Sequence, residues 1–112
     1  MRALIVLALA GAALFGASPE QEAFEKRCSG CHAPDTAKAG PPLRGVFGRP
    51  AAKQKSYAYS AALRAAAIHW NRETLDRWLA DPESLVPGTD MAFRLDDAAE
   101  RVRIIAYLEQ LK

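Results

Sequence analysis

Side-chain chemistry in this 112-residue chain is densest at Cys28-Ser29-Gly30-Cys31-His32. Two thiols three residues apart, followed at once by an imidazole, make the C-x-x-C-H pattern of a c-type haem attachment site. The spacing has a physical reason: positions i, i+3 and i+4 of one helical turn share a face. Two thiols so placed can add to the two vinyl groups of one porphyrin while the imidazole reaches its iron. Three other chemistries use the same residue types. A thioredoxin-like pair wants a βαβ setting, and no strand of useful length can be read here. A structural zinc site wants four ligands, and beyond these three only His69 could join, without a second paired motif. A disulfide between Cys28 and Cys31 would close a trivial loop and stabilise little. Haem c, one covalent group, is the reading that uses all three side chains.

The second iron ligand follows by elimination among His, Met, Cys and Tyr, the side chains that bind haem iron axially. Thioether formation consumes both cysteines, and Met1 belongs to a leader described below, so Met91 is the methionine that remains. It lies in Pro87-Gly88-Thr89-Asp90-Met91, a turn-forming stretch suited to a strap across a haem face. His69, flanked by Ile68 and Trp70, is expected to be exposed or hydrogen-bonded rather than a ligand. The expected iron ligands are His32 and Met91.

These residues need elements to hold them. Residues 3–16 are uncharged and apolar, follow Arg2 and lead into Ala17-Ser18-Pro19, the order of a secretory signal. As a helix the run would reach only ~21 Å against a ~30 Å hydrocarbon core, so the expected division is a signal peptide over 1–17 and one domain over 18–112. A retained N-terminal anchor is the alternative. Ser18-Pro19-Glu20-Gln21 reads as a capping box opening a first helix that carries Phe24, Cys28 and Cys31 on one face. Residues 33–55 are rich in Pro, Gly and basic side chains and read as irregular loop. A short helix is expected over 60–67, and a clear one from Arg72 to Ala80, capped by Asn71 and ended at Asp81-Pro82. Residues 83–95 read as loop, and a last helix runs from Asp96 or Asp97 to Leu111 with Ile104, Tyr107, Leu108 and Leu111 on one face. The class is all-α, with connections too long to be mere connectors.

Composition narrows the function. Half the residues are hydrophobic and a quarter charged, which excludes a disordered tail, and the length excludes a multidomain enzyme. A domain of about 95 residues is small enough to need a staple beyond its apolar core, which covalent haem would supply. From Lys26 to Arg72 nine basic residues face one acid, whereas from Glu73 to Lys112 five basic residues face nine acids. That asymmetry can orient a protein toward acidic docking surfaces, with Lys26, Arg27, Lys53, Lys55 and Arg64 on the basic side. No aromatic-interleaved basic stripe or nucleic-acid module appears.

Taken together, these segments resemble a small soluble class I cytochrome c of the mitochondrial-like kind, over roughly Phe24 to Leu108. The resemblance implies a cytochrome c fold, with three main helices plus short helices and loops wrapped around one covalent haem. Gly40-Pro41-Pro42-Leu43-Arg44-Gly45 resembles the stretch in which a proline carbonyl accepts from the axial histidine, which implies Pro41 as the partner of His32. Phe47-Gly48-Arg49 resembles the loop whose arginine lies near a haem propionate. Tyr57-Ala58-Tyr59-Ser60 and Ile68-His69-Trp70 resemble the segments that donate to a buried propionate, which implies Tyr59 and Trp70. Pro87-Gly88-Thr89 through Met91 and Phe93 resembles the axial-methionine strap, with Thr89 inside it and Phe93 over the haem edge.

The sequence also departs from that pattern. Trp78 stands where many relatives carry a tyrosine whose hydroxyl reaches the methionine sulfur; an indole can donate there too, with a different reach. Leu63 replaces an asparagine near a buried water, implying a drier pocket. Glu20 replaces a small glycine on the first helix, and the connection from His32 to Gly40 is short. Asp90, Glu83 and Ser84 stand where lysines are usual, which points to a bacterial relative with its own partners. The expected function is that of a periplasmic one-electron carrier, not an enzyme, a monomer that meets donor and acceptor redox proteins. Two alternatives are the haem subunit of a larger oxidoreductase, and a haem enzyme or gas sensor with a labile distal methionine.

Overall fold

The computed structural model describes residues 16–112, so the leader read over 1–17 lies almost wholly outside the described residues. Five helices follow in order: α1 (Pro19–Cys28), α2 (Ala61–Ala65), α3 (Arg72–Ala80), α4 (Pro82–Leu85) and α5 (Ala98–Gln110). Among the described residues there is no strand, only an isolated antiparallel bridge between Pro50 and His69. Among the described residues no helix is long and apolar enough to cross a membrane.

Each main helix starts where a side chain can satisfy the free N–H groups of a first turn. Ser18 accepts from the Gln21 N–H at 3.1 Å, but the Gln21 amide turns to Glu25 instead of back to the cap, so only half of the expected box forms. Asn71 and Thr74 form a reciprocal box at α3, both bonds measuring 2.9 Å. Asp97 accepts from Ala99 and Glu100 at α5. The Glu100 side chain is thereby free to reach across to α1.

Three expectations are corrected. The first helix stops at Cys28, so Cys31 does not lie on it. Cys31 and His32 both donate their N–H to the Cys28 carbonyl, at 3.2 and 2.8 Å, which continues the turn by one loop around Gly30. The stretch after Pro82 is not all loop: proline fits a first helical turn, Asp81 accepts from the Ser84 N–H, and α4 results. The short helix ends at Ala65, where Ala66 turns to an extended conformation.

α1 crosses α5, and α5 also packs on α3. Phe24 stacks on Tyr107 with ring centroids 4.7 Å apart, and Ala23 lies beside it. That contact does without the small residue missing at Glu20. Arg27 and Glu100 lock the crossing with two hydrogen bonds of 2.6 and 2.9 Å. Ile104 is fully buried, and Leu75, Leu79, Leu95 and Leu108 close the core around it. Arg101 ties the strap to the helices: it bonds Asp76 of α3 and the carbonyls of Leu95 and Asp96, at 2.7 to 2.9 Å. The loops between Ala33 and Ser60, and between Val86 and Leu95, hang from this frame on either side of a cavity.

Candidate functional site

The cavity measures about 420 Å³, within the range of small-molecule and cofactor sites. All of the expected site residues line it: Cys28, Cys31, His32, Pro41, Arg49, Tyr59, Trp70, Trp78, Thr89, Met91 and Phe93. Its walls are mostly apolar. Leu75, Ile104 and Leu108, residues whose spacing marks them only as helix core, reach it from α3 and α5.

The short loop after the attachment segment sets the imidazole. Gly40 donates its N–H to the Cys31 carbonyl at 2.7 Å and is buried against the ring. A Cβ at Gly40 would stand 2.7 Å from Nδ1 and 2.8 Å from Nε2 of His32, so only glycine fits. The next residue supplies the partner: His32 Nδ1 lies 2.8 Å from the Pro41 carbonyl oxygen. A carbonyl can only accept, so Nδ1 carries the proton and Nε2 keeps its lone pair. Burial pushes the His32 pKa below its ordinary value, against the pull of the Pro41 bond and with help from Lys38. The result is a neutral imidazole with one free nitrogen, the form that binds a metal.

The thiols differ. Cys31 is exposed, whereas Cys28 is half-buried, and burial together with Cys31 pushes its thiol up to about 12. Both are unpaired. Across the cavity Met91 is half-buried on the strap, and Trp78 donates its indole N–H to the sulfur at 3.1 Å. The departure from tyrosine therefore still leaves a donor on that atom. Leu63 is buried and lines the same cavity.

The polar end is furnished by loops. Tyr59 accepts from the Gln54 N–H at 3.2 Å, which leaves its own proton to give, and burial raises its pKa. Tyr57 stacks edge-on against Tyr59 and donates to the Ala39 carbonyl at 2.8 Å, joining two loops. Arg49 reaches the Arg44 carbonyl at 3.4 Å with one nitrogen. Trp70 is buried and meets Trp78 edge-to-face, centroids 5.2 Å apart. His69 is exposed and does not line the cavity.

Two thiols, a neutral imidazole, a thioether and hydroxyl, guanidinium and indole donors around an apolar slot suit a porphyrin with iron at its centre and carboxylates at one edge. Gly40 is the site residue that sequence reading did not single out for its own contact; its signal is a glycine just before Pro41 in a loop returning to the histidine. Arg27, expected among the free docking cations, is instead held by Glu100.

Comparison with known proteins agrees with this geometry. The cytochrome c family model matches residues 11–112. A c-type cytochrome cy of Rhodobacter capsulatus is 43% identical over 81% of this chain; the chain spans about half of that relative, 47%. Cytochrome c of Euglena viridis is 42% identical over 80% of the chain and 90% of its own length. The solved structure of cytochrome cH from Methylobacterium extorquens superposes with a TM-score of 0.77 at 39% identity, covering 81% of this chain and 94% of that one. With the attachment pentapeptide, the imidazole cradle and the methionine strap gathered around one slot, the chain belongs to the cytochrome c family, electron carriers rather than enzymes, with one covalent haem c.

Proposed function

We propose that this protein is an exported one-electron carrier of the periplasm, its haem linked through Cys28 and Cys31 and its iron bound by His32 and Met91. The observation that carries the ligand assignment is the 2.8 Å contact between His32 Nδ1 and the Pro41 carbonyl. It commits the opposite nitrogen, Nε2, to the cavity that Met91 enters from the strap. Bound there, the group supplies a one-electron couple, and His/Met ligation favours transfer over oxygen chemistry.

The protein's own residues do the rest. Pro41 and Gly40 fix the imidazole plane. Leu63, Leu75, Ile104 and Leu108 exclude water from the slot. Arg49, Tyr59 and Trp70 are the donors available to a buried propionate, and Phe93 covers the edge. Thr89 donates its N–H to the Val86 carbonyl at 3.1 Å and so shapes the turn that presents Met91. The apolar run after Arg2 supports export, either as a cleaved signal over 1–17 or as a retained anchor.

Absorption spectra in both redox states, of protein matured in a host that attaches haem, test this reading. The expected result is colour that stays with the denatured chain, low-spin iron, the weak long-wavelength ferric band of sulfur on iron, and no carbon monoxide binding. Met91→Ala should lose that band and bind carbon monoxide. Wild-type protein that binds carbon monoxide readily would instead favour an enzyme or gas sensor with an open distal side.

A further inference from the structure

The connection from Ala33 to Gly40 contains no helix or strand, yet its far end is firmly held. Gly40 donates to the Cys31 carbonyl at 2.7 Å, the Ala39 carbonyl accepts from the Tyr57 hydroxyl at 2.8 Å, and the Lys38 N–H donates to the Gly40 carbonyl at 3.0 Å. From that backbone the Lys38 side chain crosses back to the attachment turn, where Nζ donates to the Ser29 carbonyl at 2.6 Å. The ammonium is therefore tethered between the two cysteines, at a residue three before His32, a chain reach on the order of 10 Å. No carboxylate answers it among the described residues. The one acid between Lys26 and Arg72 is Asp35, and Arg44 takes it at 2.7 Å. Arg27, beside Cys28, is matched to Glu100.

Resting on the assignment of haem to Cys28, Cys31 and His32, we infer that Lys38 is a tethered cation on the histidine side of the site that biases the couple toward the reduced state. The oxidised group carries one more positive charge than the reduced one, so a fixed cation nearby costs the oxidised state more. The bond to Ser29 supplies the fixing: an ammonium at the end of a flexible four-carbon stem would otherwise spread its charge through solvent. The neighbouring contact on His32 works with the opposite sign. The Pro41 bond to Nδ1 raises the basicity of the imidazole, which favours the oxidised state. Loss of the Lys38 charge and a loosening of the loop therefore move the potential in opposite directions.

Two replacements of Lys38 in the matured protein test this. Site-specific Nε-acetyl-lysine removes the charge while keeping the stem and an N–H for the Ser29 carbonyl. Lys38→Arg keeps both charge and donor. Each is read by the reduction potential at low and at high salt. In the acetyl protein the ratio of oxidised to reduced form at fixed poise is expected to rise about twofold at low salt, the effect of a unit charge about 10 Å away in water-like surroundings. That rise should shrink as salt screens the charge, and Lys38→Arg should keep the wild-type potential. An acetyl protein with the wild-type potential at low salt overturns the inference while the haem assignment stands. So does a raised potential, which points to a loosened loop, and so does a Lys38→Arg protein shifted as far as the acetyl one. Wild-type protein that loses its colour on denaturation overturns the covalent assignment and the inference with it.

Discussion

His32 is constrained from three directions: the Pro41 carbonyl on Nδ1, the Cα of Gly40 against the ring, and the buried surroundings that keep it neutral. The glycine is the least obvious of the three and the easiest to test. Its backbone is not in the left-handed region, so Gly40→Ala would act through space alone, by driving a methyl into both ring nitrogens. Overpacking of this kind costs about 1–3 kcal/mol. The expected outcome is a lower Tm for the matured protein and a displaced imidazole, read as altered shifts of the ring protons in the reduced protein. An alanine variant with wild-type Tm and ring shifts would mean that the loop yields at no cost. Sequence could name His32 because its chemistry is written in residue type and spacing, and Pro41 because its segment resembles the matching stretch of a known family. It could not assign Gly40 its contact, because a steric requirement between residues eight apart exists only once the loop is folded.

At the level of elements, the α1–α5 crossing joins an apolar stack to one ion pair. The pair pulls Glu100 below its ordinary pKa, the hydrogen bond from Arg27 being the largest cause, and raises Arg27. A carboxylate whose folded pKa is depressed stabilises the fold above its unfolded pKa and loses that contribution as pH falls through the folded one. Wild-type protein is therefore expected to melt above Glu100→Gln at neutral pH, with the two melting curves converging under acid conditions. A gap that persists in acid would assign the effect to packing. Asp35, lowered by Arg44, adds to the same acid limb. Helix starts were legible in advance because caps are local: Ser18, Asn71 and Asp97 each bond within their own first turn. The end of α1 and the existence of α4 were not, since Gly30 and Pro82 each permit a turn to continue or to stop, and neighbouring packing decides. The cavity wall was hidden for a related reason. An apolar stripe facing a cofactor has the same periodicity as one facing another helix, so Leu75 and Leu108 read simply as core.

For the whole molecule, the asymmetry of charge matters more than its small total. Ion pairs neutralise much of the arginine: Arg27, Arg44 and Arg72 are each matched to a carboxylate at 2.6 to 2.9 Å. Of the cations that line the cavity, Arg49 and Lys53 have no carboxylate partner among the described residues; Lys53 and the nearby Lys55 are exposed, while Asp90 is the carboxylate that lines it on the strap side. A field of this shape would steer an acidic redox partner toward the lysine side and away from Asp90. Steering weakens as the Debye length shrinks to about 8 Å at physiological ionic strength. Electron transfer with an acidic partner protein is therefore expected to slow as salt is added, and Lys53→Glu with Lys55→Glu should lower the low-salt rate and flatten its salt dependence. Replacing a matched pair, Arg27→Gln with Glu100→Gln, should leave the salt dependence as it was, because the pair presents little net charge to a partner. If the two double variants behave alike, neither the lysines nor the overall charge, which only the lysine variant alters, governs encounter.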